Sequence, residues 1–245
     1  MTNTTSQAGA APAPKSLPAR FIGVLTSPRD TFRSIVAHPK WFGMLATTTL
    51  IVALFNVLPM TTEEGKQAAL DQQVSQMEAF GRQVDDAQYE RMRKGMELAP
   101  YFTIGSILVF APLMAVIISG ILFAVFNAAM GGDASFKQVV AVVASAGAVS
   151  ALSAAFTGPL NYFRGAIGSA TNLGVLLPML DEKSFAGRLL GMIDLFIIWW
   201  LVVLAIGLGV LYKRRTQPVA ISLLAVYAVI AICVAAVMSS FGGGN

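Results

Sequence analysis

The stretch Asn127-Ala-Ala-Met-Gly-Gly-Asp-Ala-Ser-Phe-Lys-Gln138 separates two long apolar segments and decides how this chain is built. The flanking segments, 101–126 and 139–156, are each long enough to cross a bilayer, because about 20 apolar residues span the hydrocarbon core. The linker between them is too short to carry a domain. The two segments are therefore predicted to form an antiparallel helical hairpin, with this turn at one membrane surface.

The residues of the turn suit a tight reversal of the chain. Gly131 and Gly132 form the only Gly-Gly pair in the interior of the sequence, and they supply backbone freedom that other residues lack. Asp133 or Ser135 is expected to cap the helix that follows, because short polar side chains accept hydrogen bonds from the first free amides of a helix.

Composition identifies the class of protein. Hydrophobic residues make up 56% of the chain and charged residues 12%, whereas soluble domains carry about 25% charged residues. The apolar runs are continuous rather than alternating, which argues against a transmembrane barrel. The sequence therefore predicts an all-α, polytopic integral membrane protein with a five-helix transmembrane bundle.

Five predicted spans lie at about 41–60, 101–126, 137–156, 189–212 and 219–238. Pro112 is expected to kink the second span. The third span is rich in Ala, Ser and Gly, which let helices approach closely in lipid, so it is placed at the centre of the bundle. Residues 1–40 contain no apolar core followed by a cleavage site, so no cleavable signal peptide is expected, and the first span is expected to act as the insertion signal.

The segment before the first span divides into a tail and a helix. Residues 1–18 are rich in Ala, Pro, Thr and Ser and are predicted to be a disordered tail, and residues 19–238 to form the membrane domain. Ser27 and Pro28 mark the start of a short helix that ends before Pro39.

This short helix is amphipathic. Phe32 and Ile35 share one face, and Arg29 and Arg33 share another. It is predicted to be an interfacial helix with its apolar face in lipid and its arginines at anionic headgroups. The alternative is a helix packed on the protein's own spans. Trp41 is expected to anchor the first span at the interface.

Residues 61–98 interrupt the apolar pattern with many charged side chains. They are predicted to form one long helix, or a helical hairpin, outside the membrane. An apolar stripe suggests packing on a neighbouring helix or a partner, and the alternative is a solvated helix with one apolar seam. The stripe consists of Leu70, Val74, Met77, Gly81 and Val84.

The distribution of basic residues predicts the orientation. Lys213-Arg214-Arg215 lies in a short loop between the last two spans, and further basic residues precede the first span. This places the N-terminus in the cytoplasm and, with five spans, the C-terminus outside. Residues 158–187 then form an outer loop, in which 173–180 is either an interfacial or a re-entrant segment.

Asp194 is the one acidic residue within a predicted span. Carboxylates inside membranes are costly and often functional. The side chain of Asn161, Tyr162 or Arg164 could donate a hydrogen bond to the Asp194 carboxylate. Three interpretations stay open for Asp194: a structural anchor, a proton or ion site, and simple exposure near the outer end of the span.

Groups suited to catalysis are scarce. His38 is the only histidine and Cys233 the only cysteine. A zinc site needs about four such ligands, so neither a His/Cys metal site nor an intramolecular disulfide is expected. No nucleotide-binding glycine motif is present. We therefore expect that the protein is not an enzyme, binds no cofactor and has no nucleic-acid partner.

Three stretches together resemble the Yip family of Rab-GTPase-interacting membrane proteins, in its bacterial branch. They are Ser27-Pro-Arg-Asp-Thr-Phe-Arg-Ser-Ile35 with His38-Pro-Lys-Trp41, then Met130–Gln138, then Asp194–Trp200 with Ile206-Gly-Leu208. The resemblance implies five helices, a cytosolic N-terminus and no known catalysis. The charged segment 61–98 is longer than the resemblance implies, and Rab binding is not carried over, because bacteria lack that partner class.

The leading hypothesis is a non-enzymatic membrane scaffold or accessory subunit in the bacterial inner membrane, which binds the lipid bilayer and other membrane proteins or itself. The alternatives are a small transporter or channel with Asp194 in its pathway, and a membrane-shaping protein. A wide polar cavity at Asp194 would favour the transporter. The candidate interaction or structural residues are Arg29, Asp30, Phe32, Arg33, Trp41, Gly131, Gly132, Phe136, Lys137 and Asp194.

Overall fold

The computed structural model describes residues 13–79, 81–177, 179 and 184–242, and the regular elements within them are helices. In chain order the α-helices are α1 (Leu17–Thr26), α2 (Pro28–Ala37), α3 (Phe42–Val57), α4 (Glu63–Ala79), α5 (Asp86–Gly95), α6 (Ala99–Phe123), α7 (Phe136–Ala146), α8 (Ala148–Arg164), α9 (Phe185–Met192), α10 (Leu195–Leu211) and α11 (Thr216–Gly242). The predicted all-α membrane-protein class is confirmed.

Three of the described helices are long and apolar enough to cross a membrane: Asp86–Ala129, Phe136–Arg164 and Thr216–Ser240. The other two predicted spans correspond to α3 and α10, which have 16 and 17 residues. The count of five spans therefore stays a prediction. The fourth span was predicted to begin at residue 189, but a break separates α9 from α10, which begins at Leu195.

The continuous pair α7 and α8 forms the centre of the bundle. Every residue from Val139 to Ala146 is buried, and α3, α6, α10 and the short α2 pack around the pair. Alanine, serine and valine in α7 leave little side-chain bulk, so neighbouring helices approach it from several sides. The predicted central position of the third span is confirmed.

Helix α2 packs its apolar face on protein rather than on lipid. Phe32 and Ile35 are fully buried. A Cβ atom on Gly207 of α10 would lie 2.9 Å from Cε1 of Phe32 and 2.6 Å from Cγ1 of Val142, so the ring fills the space that the glycine leaves. The prediction of a lipid-facing apolar surface was wrong, and the alternative of a helix packed on the protein's own spans is correct.

Helix α1 was not predicted, and part of it lies in the predicted disordered tail. The tail's last residues are tied to α2, where Ser34 Oγ donates to the carbonyl of Ala13 at 2.9 Å and Lys15 Nζ donates to Thr31 Oγ1 at 2.9 Å. Pro18 near the helix start supports a helix here. The rest of the predicted tail, residues 1–12, lies outside the described residues.

The charged segment folds as a helical hairpin of α4 and α5, one of the two predicted forms. Gln67 Nε2 donates to Tyr89 Oη at 2.8 Å between the two helices. Gly81 has φ +75° in the turn, a conformation that favours glycine. Of the predicted stripe only Leu70 is fully buried, and Val74 is partly exposed. From α5 the chain runs through a short 3-10 turn into α6, and that helix continues through Pro112.

Candidate functional site

Asp194 caps the N-terminus of α10 and does not lie inside the helix. Its Oδ1 accepts the backbone N–H groups of Phe196 at 2.7 Å and Ile197 at 3.2 Å. These two amides have no carbonyl partner inside the helix, and the negative charge also suits the positive end of the helix dipole. The carboxylate therefore acts as the N-terminal cap of α10.

The second oxygen of Asp194 is held by the loop before α9. The hydroxyls of Ser169 and Thr171 both donate to Oδ2, the latter at 2.6 Å. The loop is pinned beside the cap, because the Leu173 amide donates to the Ile193 carbonyl at 2.9 Å. The predicted partners were wrong: Asn161 donates instead to the Gly168 carbonyl at 2.9 Å.

The Asp194 carboxylate is saturated with hydrogen bonds. Asp194 as a whole residue is only 8% exposed to solvent. The hydroxyls of Ser169 and Thr171 and the amides of Phe196 and Ile197 compensate the carboxylate for its burial. An ionised carboxylate with four donors fits the structural-anchor interpretation.

A cleft opens beside Asp194, and we name it the α8 cleft. Its volume is about 760 Å³, its floor is one face of α8, and its walls come from α3, α6 and α10. The polar residues on the floor are Ser150, Ser153, Thr157 and Asn161. The apolar wall residues include Val52, Ile107, Phe196, Ile197 and Trp200. The transporter alternative called for a wide polar cavity at Asp194. The cleft does reach Asp194, but its walls are mostly apolar, and the other half of the bundle is filled by the buried run Val139–Ala146.

A second cavity of about 660 Å³ adjoins the α8 cleft, and we name it the arginine cavity. The two share Asn161, Ile167, Gly168 and Ser169 in their linings. Arg164, at the end of α8, and Arg188 of α9 line the arginine cavity but not the α8 cleft.

Neither cavity was predicted from the sequence. Residues 150, 153, 157 and 161 recur at helical spacing, so a polar stripe on an otherwise apolar helix was readable. What faces that stripe was not readable, because it depends on three other helices.

At the opposite end of α10, the glycine turn of residues 127–138 is clamped by Tyr212. The Tyr212 hydroxyl donates to Asn127 Oδ1 at 2.7 Å, and Asn127 Nδ2 donates to the Ala134 carbonyl at 2.7 Å. The rings of Tyr212 and Phe126 stack with centroids 4.8 Å apart. The turn is therefore held by a residue far along the chain.

The two glycines have different roles. Gly131 has φ +69° and open space around a Cβ. Gly132 has an ordinary φ, but a Cβ there would lie 2.6 Å from Cε1 of Tyr212 and 2.8 Å from the Phe126 carbonyl oxygen. One position thus needs glycine for its backbone angle and the other for its lack of a side chain.

Ser135 caps α7, as one of the two predicted candidates. Its hydroxyl accepts the Gln138 amide, and Gln138 Oε1 accepts the Ser135 amide at 2.9 Å, a capping box. Gln138 Nε2 also donates to the Val36 carbonyl at 3.2 Å, which ties the turn to α2. Asp133 forms no part of this cap.

The remaining predicted residues lie at the same end of the bundle as the turn or on α2. Arg33 pairs with Asp30 at 2.8 Å on the exposed side of α2. Phe136 is 41% exposed and meets Phe123 edge to face at 5.8 Å, and Lys137 is exposed. Arg29 is exposed, and Trp41 is half-buried against the core. Within the described residues, no cluster of three or more His, Cys, Asp or Glu could hold a metal ion.

Comparison with known proteins now gives the family. The family model of the Yip1 domain matches residues 22–238. The chain belongs to the Yip1-domain family. The match begins in α1 and ends in α11, so it includes the Asp194 cap, both cavities and the Tyr212 clamp of this Yip1 domain. No curated protein and no solved structure matched the chain.

Proposed function

We propose that this Yip1-domain protein is a non-enzymatic integral membrane scaffold that binds other membrane proteins. The observation that carries the proposal is the hairpin of α4 and α5, whose charged face is exposed and not used by the fold. Leu70 is its one fully buried large side chain among the described residues. Its exposed charged residues are Glu63, Glu64, Asp71, Glu78, Arg82, Asp85, Asp86, Glu90, Arg91, Arg93 and Lys94.

The reach of this hairpin supports the same proposal. The continuous helical stretch from Asp86 to Ala129, in which a 3-10 turn joins α5 to α6, has 44 residues, about 66 Å at 1.5 Å per residue. A hydrocarbon core of about 30 Å covers less than half of that length. A helix of these dimensions carries α4 and α5 well beyond the bilayer, where the soluble part of a partner is accessible.

The alternatives have weaker support. Transport through the bundle would need a path past Asp194, but its carboxylate is saturated and α7 fills the other half of the bundle. Membrane shaping by α2 would need a free apolar face, and Phe32 and Ile35 are already buried in the protein. A single histidine and a single cysteine also offer little for catalysis.

The proposal also includes the membrane in which the protein lies and its orientation there. We place the N-terminus in the cytoplasm, the C-terminus outside and the protein in a bacterial inner membrane, because Lys213-Arg214-Arg215 and Lys137 are exposed together at the Tyr212 end of α10. In a Cys233→Ser background, an impermeant thiol reagent on intact cells should label Ser75→Cys and spare Thr216→Cys. The reverse pattern would invert the orientation.

Photocrosslinking in native membranes tests the scaffold. A photoreactive residue at exposed Gln76 of α4 should form a recurring protein adduct, and an excess of untagged parent chain should reduce its yield by competition. The control position is Ile230 on α11, which is 53% exposed on an apolar surface and should label lipid. Absence of a competable protein adduct from the hairpin, together with solute flux in proteoliposomes, would reject the scaffold.

A further inference from the structure

We propose that the α8 cleft and the arginine cavity form one binding site for an anionic phospholipid. An acyl chain would lie in the cleft between α6, α8 and α10, and the phosphate would lie at Arg164 and Arg188. This goes beyond the scaffold proposal and does not depend on it.

The two cavities are adjacent and share part of their linings. Asn161, Ile167, Gly168 and Ser169 belong to both, so the apolar space and the basic space meet at the end of α8. Their volumes are about 760 Å³ and 660 Å³. A ligand with an apolar part joined directly to a charged part matches this arrangement, and a phospholipid has that form.

The depth of the α8 cleft matches a single lipid leaflet. Its floor runs from Asn161 to Ser150, about 16 Å at 1.5 Å per residue, which is roughly half of a 30 Å hydrocarbon core. The cleft ends where the buried α7 begins. A transmembrane helix of a partner would need a groove that continues across the membrane, whereas an acyl chain occupies one leaflet.

The chemistry of the walls also fits a chain. Ile107, Phe196 and Trp200 are apolar. Two polar side chains in the lining already form hydrogen bonds within their own helices. Asn56 Nδ2 donates to the Val52 carbonyl at 2.8 Å, and Thr157 Oγ1 donates to the Ser153 carbonyl at 2.9 Å. The cleft therefore presents fewer free donors than its composition suggests.

The arginine cavity supplies the charge for a phosphate. A guanidinium offers paired N–H donors that fit phosphate oxygens. Arg164 is exposed and takes part in none of the ion pairs among the described residues. The nearby Asp194 carboxylate is already occupied by its four donors. Arg164 therefore offers a positive charge to a ligand, which favours an anionic headgroup over a zwitterionic one.

Native mass spectrometry of the full chain in detergent tests the site. The probes are phosphatidylglycerol and phosphatidylcholine with identical acyl chains. The parent protein should retain phosphatidylglycerol at least about tenfold more strongly, and Arg164→Gln with Arg188→Gln should abolish that preference, since each charged hydrogen bond is worth about tenfold. Arg91→Gln, an exposed arginine of α5, is the matched control and should change nothing.

A second set of variants tests the cleft. Ile107→Trp and Ser153→Leu each add bulk to its lining and should weaken both lipids by about tenfold or more, and the two positions lie on different helices in case one variant fails to fold. Leu152→Phe, at a position outside the cleft lining, is the control. Inorganic phosphate at millimolar concentration should not displace the lipid.

The outcomes that overturn the proposal are definite. Equal retention of the two lipids by the parent, or an unchanged preference in the double arginine variant, would remove the headgroup site. Unchanged binding in folded cleft variants would remove the chain site. A protein adduct rather than a lipid adduct from a photoreactive residue at Ser153, in native membranes, would assign the cleft to a partner helix instead.

Discussion

The two ends of α10 are both held by polar contacts, and the contacts are of opposite kinds. At one end Asp194 gathers four donors around one charged group, all from the loop before it or from its own first turn. At the other end Tyr212 reaches Asn127, 85 positions away, and covers a glycine that has no room for a side chain. The first end depends on hydrogen-bond chemistry and the second on shape.

This difference predicts which substitutions each end tolerates. A carboxylate cap can be replaced by a group that offers similar hydrogen bonds, because the hydroxyls of Ser169 and Thr171 rotate. A close contact between a ring and a backbone has no such freedom, since packed helices resist small expansions. Melting temperatures of the purified protein in detergent measure this tolerance.

Gly132→Val should have the largest effect. The new Cβ would lie 2.6 Å from Cε1 of Tyr212, and the two γ-methyl groups of valine would enlarge the clash. We expect a loss of about 3 kcal/mol, at the upper end for overpacking. Gly132→Val in a Tyr212→Ala background should lose less than in the parent, with the remaining loss coming from the Phe126 carbonyl oxygen, which would lie 2.8 Å from the new Cβ. Additive losses would show that Tyr212 does not cause the requirement for glycine.

Asp194→Ala should follow, with a loss of about 2 kcal/mol, because it removes the cap of α10 and leaves the donors of Ser169 and Thr171 unpaired. Asp194→Asn is the matched control. Its amide accepts from the helix and donates to the two hydroxyls, so it should stay within about 1 kcal/mol of the parent. Equal melting temperatures for the two variants would contradict the cap.

Gly131→Ala should cost roughly 1 kcal/mol, because φ is +69° and the space around a Cβ is open. The control is Gly120→Ala in α6, where the space is also open but the backbone is helical. Alanine there should be neutral or stabilising. If both substitutions shift the melting temperature in the same direction, the backbone angle is not what Gly131 supplies.

Tyr212→Phe should also cost about 1 kcal/mol, since it keeps the stacked ring on Phe126 and removes only the hydrogen bond to Asn127. Tyr162→Phe is the control, because the Tyr162 hydroxyl makes no hydrogen bond to the described residues and its ring is 41% exposed. Indistinguishable losses at the two tyrosines would rule out a specific role for the Asn127 contact.

Ser135→Ala should have the smallest measurable effect, about 1 kcal/mol or less, through the capping box with Gln138. Asp133→Ala should be close to neutral, because Asp133 is not part of that box. A larger loss at Asp133 than at Ser135 would reverse the assignment of the cap.

Local features of the bundle were predictable from the sequence. The turn between two apolar runs, the small residues of α7 and the polar stretch 61–98 were each visible as patterns. The structure confirms the central helix and the helical hairpin of α4 and α5, and it assigns the cap to Ser135. Each of these depends on residues close in sequence, so propensity and periodicity are sufficient guides.

Contacts between distant residues were not predictable. The face of α2 was read correctly as apolar, yet its partner is Gly207 on α10 rather than lipid, because a hydrophobic face is compatible with either. Asp194 was singled out, but its hydroxyl donors come from a loop whose path no pattern indicates. The break before Leu195 was missed for the same reason.

The sequence by itself therefore determined that the chain is a helical membrane protein with a glycine turn between two apolar helices, because burial in lipid demands long apolar runs and tight turns demand glycine. Only the tertiary structure decided that Gly132 lies under Tyr212, that Asp194 is a saturated cap, and that a cleft and two arginines meet at the end of α8. These features are set by the packing of helices far apart in the chain, and lipid and protein offer an apolar side chain nearly the same environment.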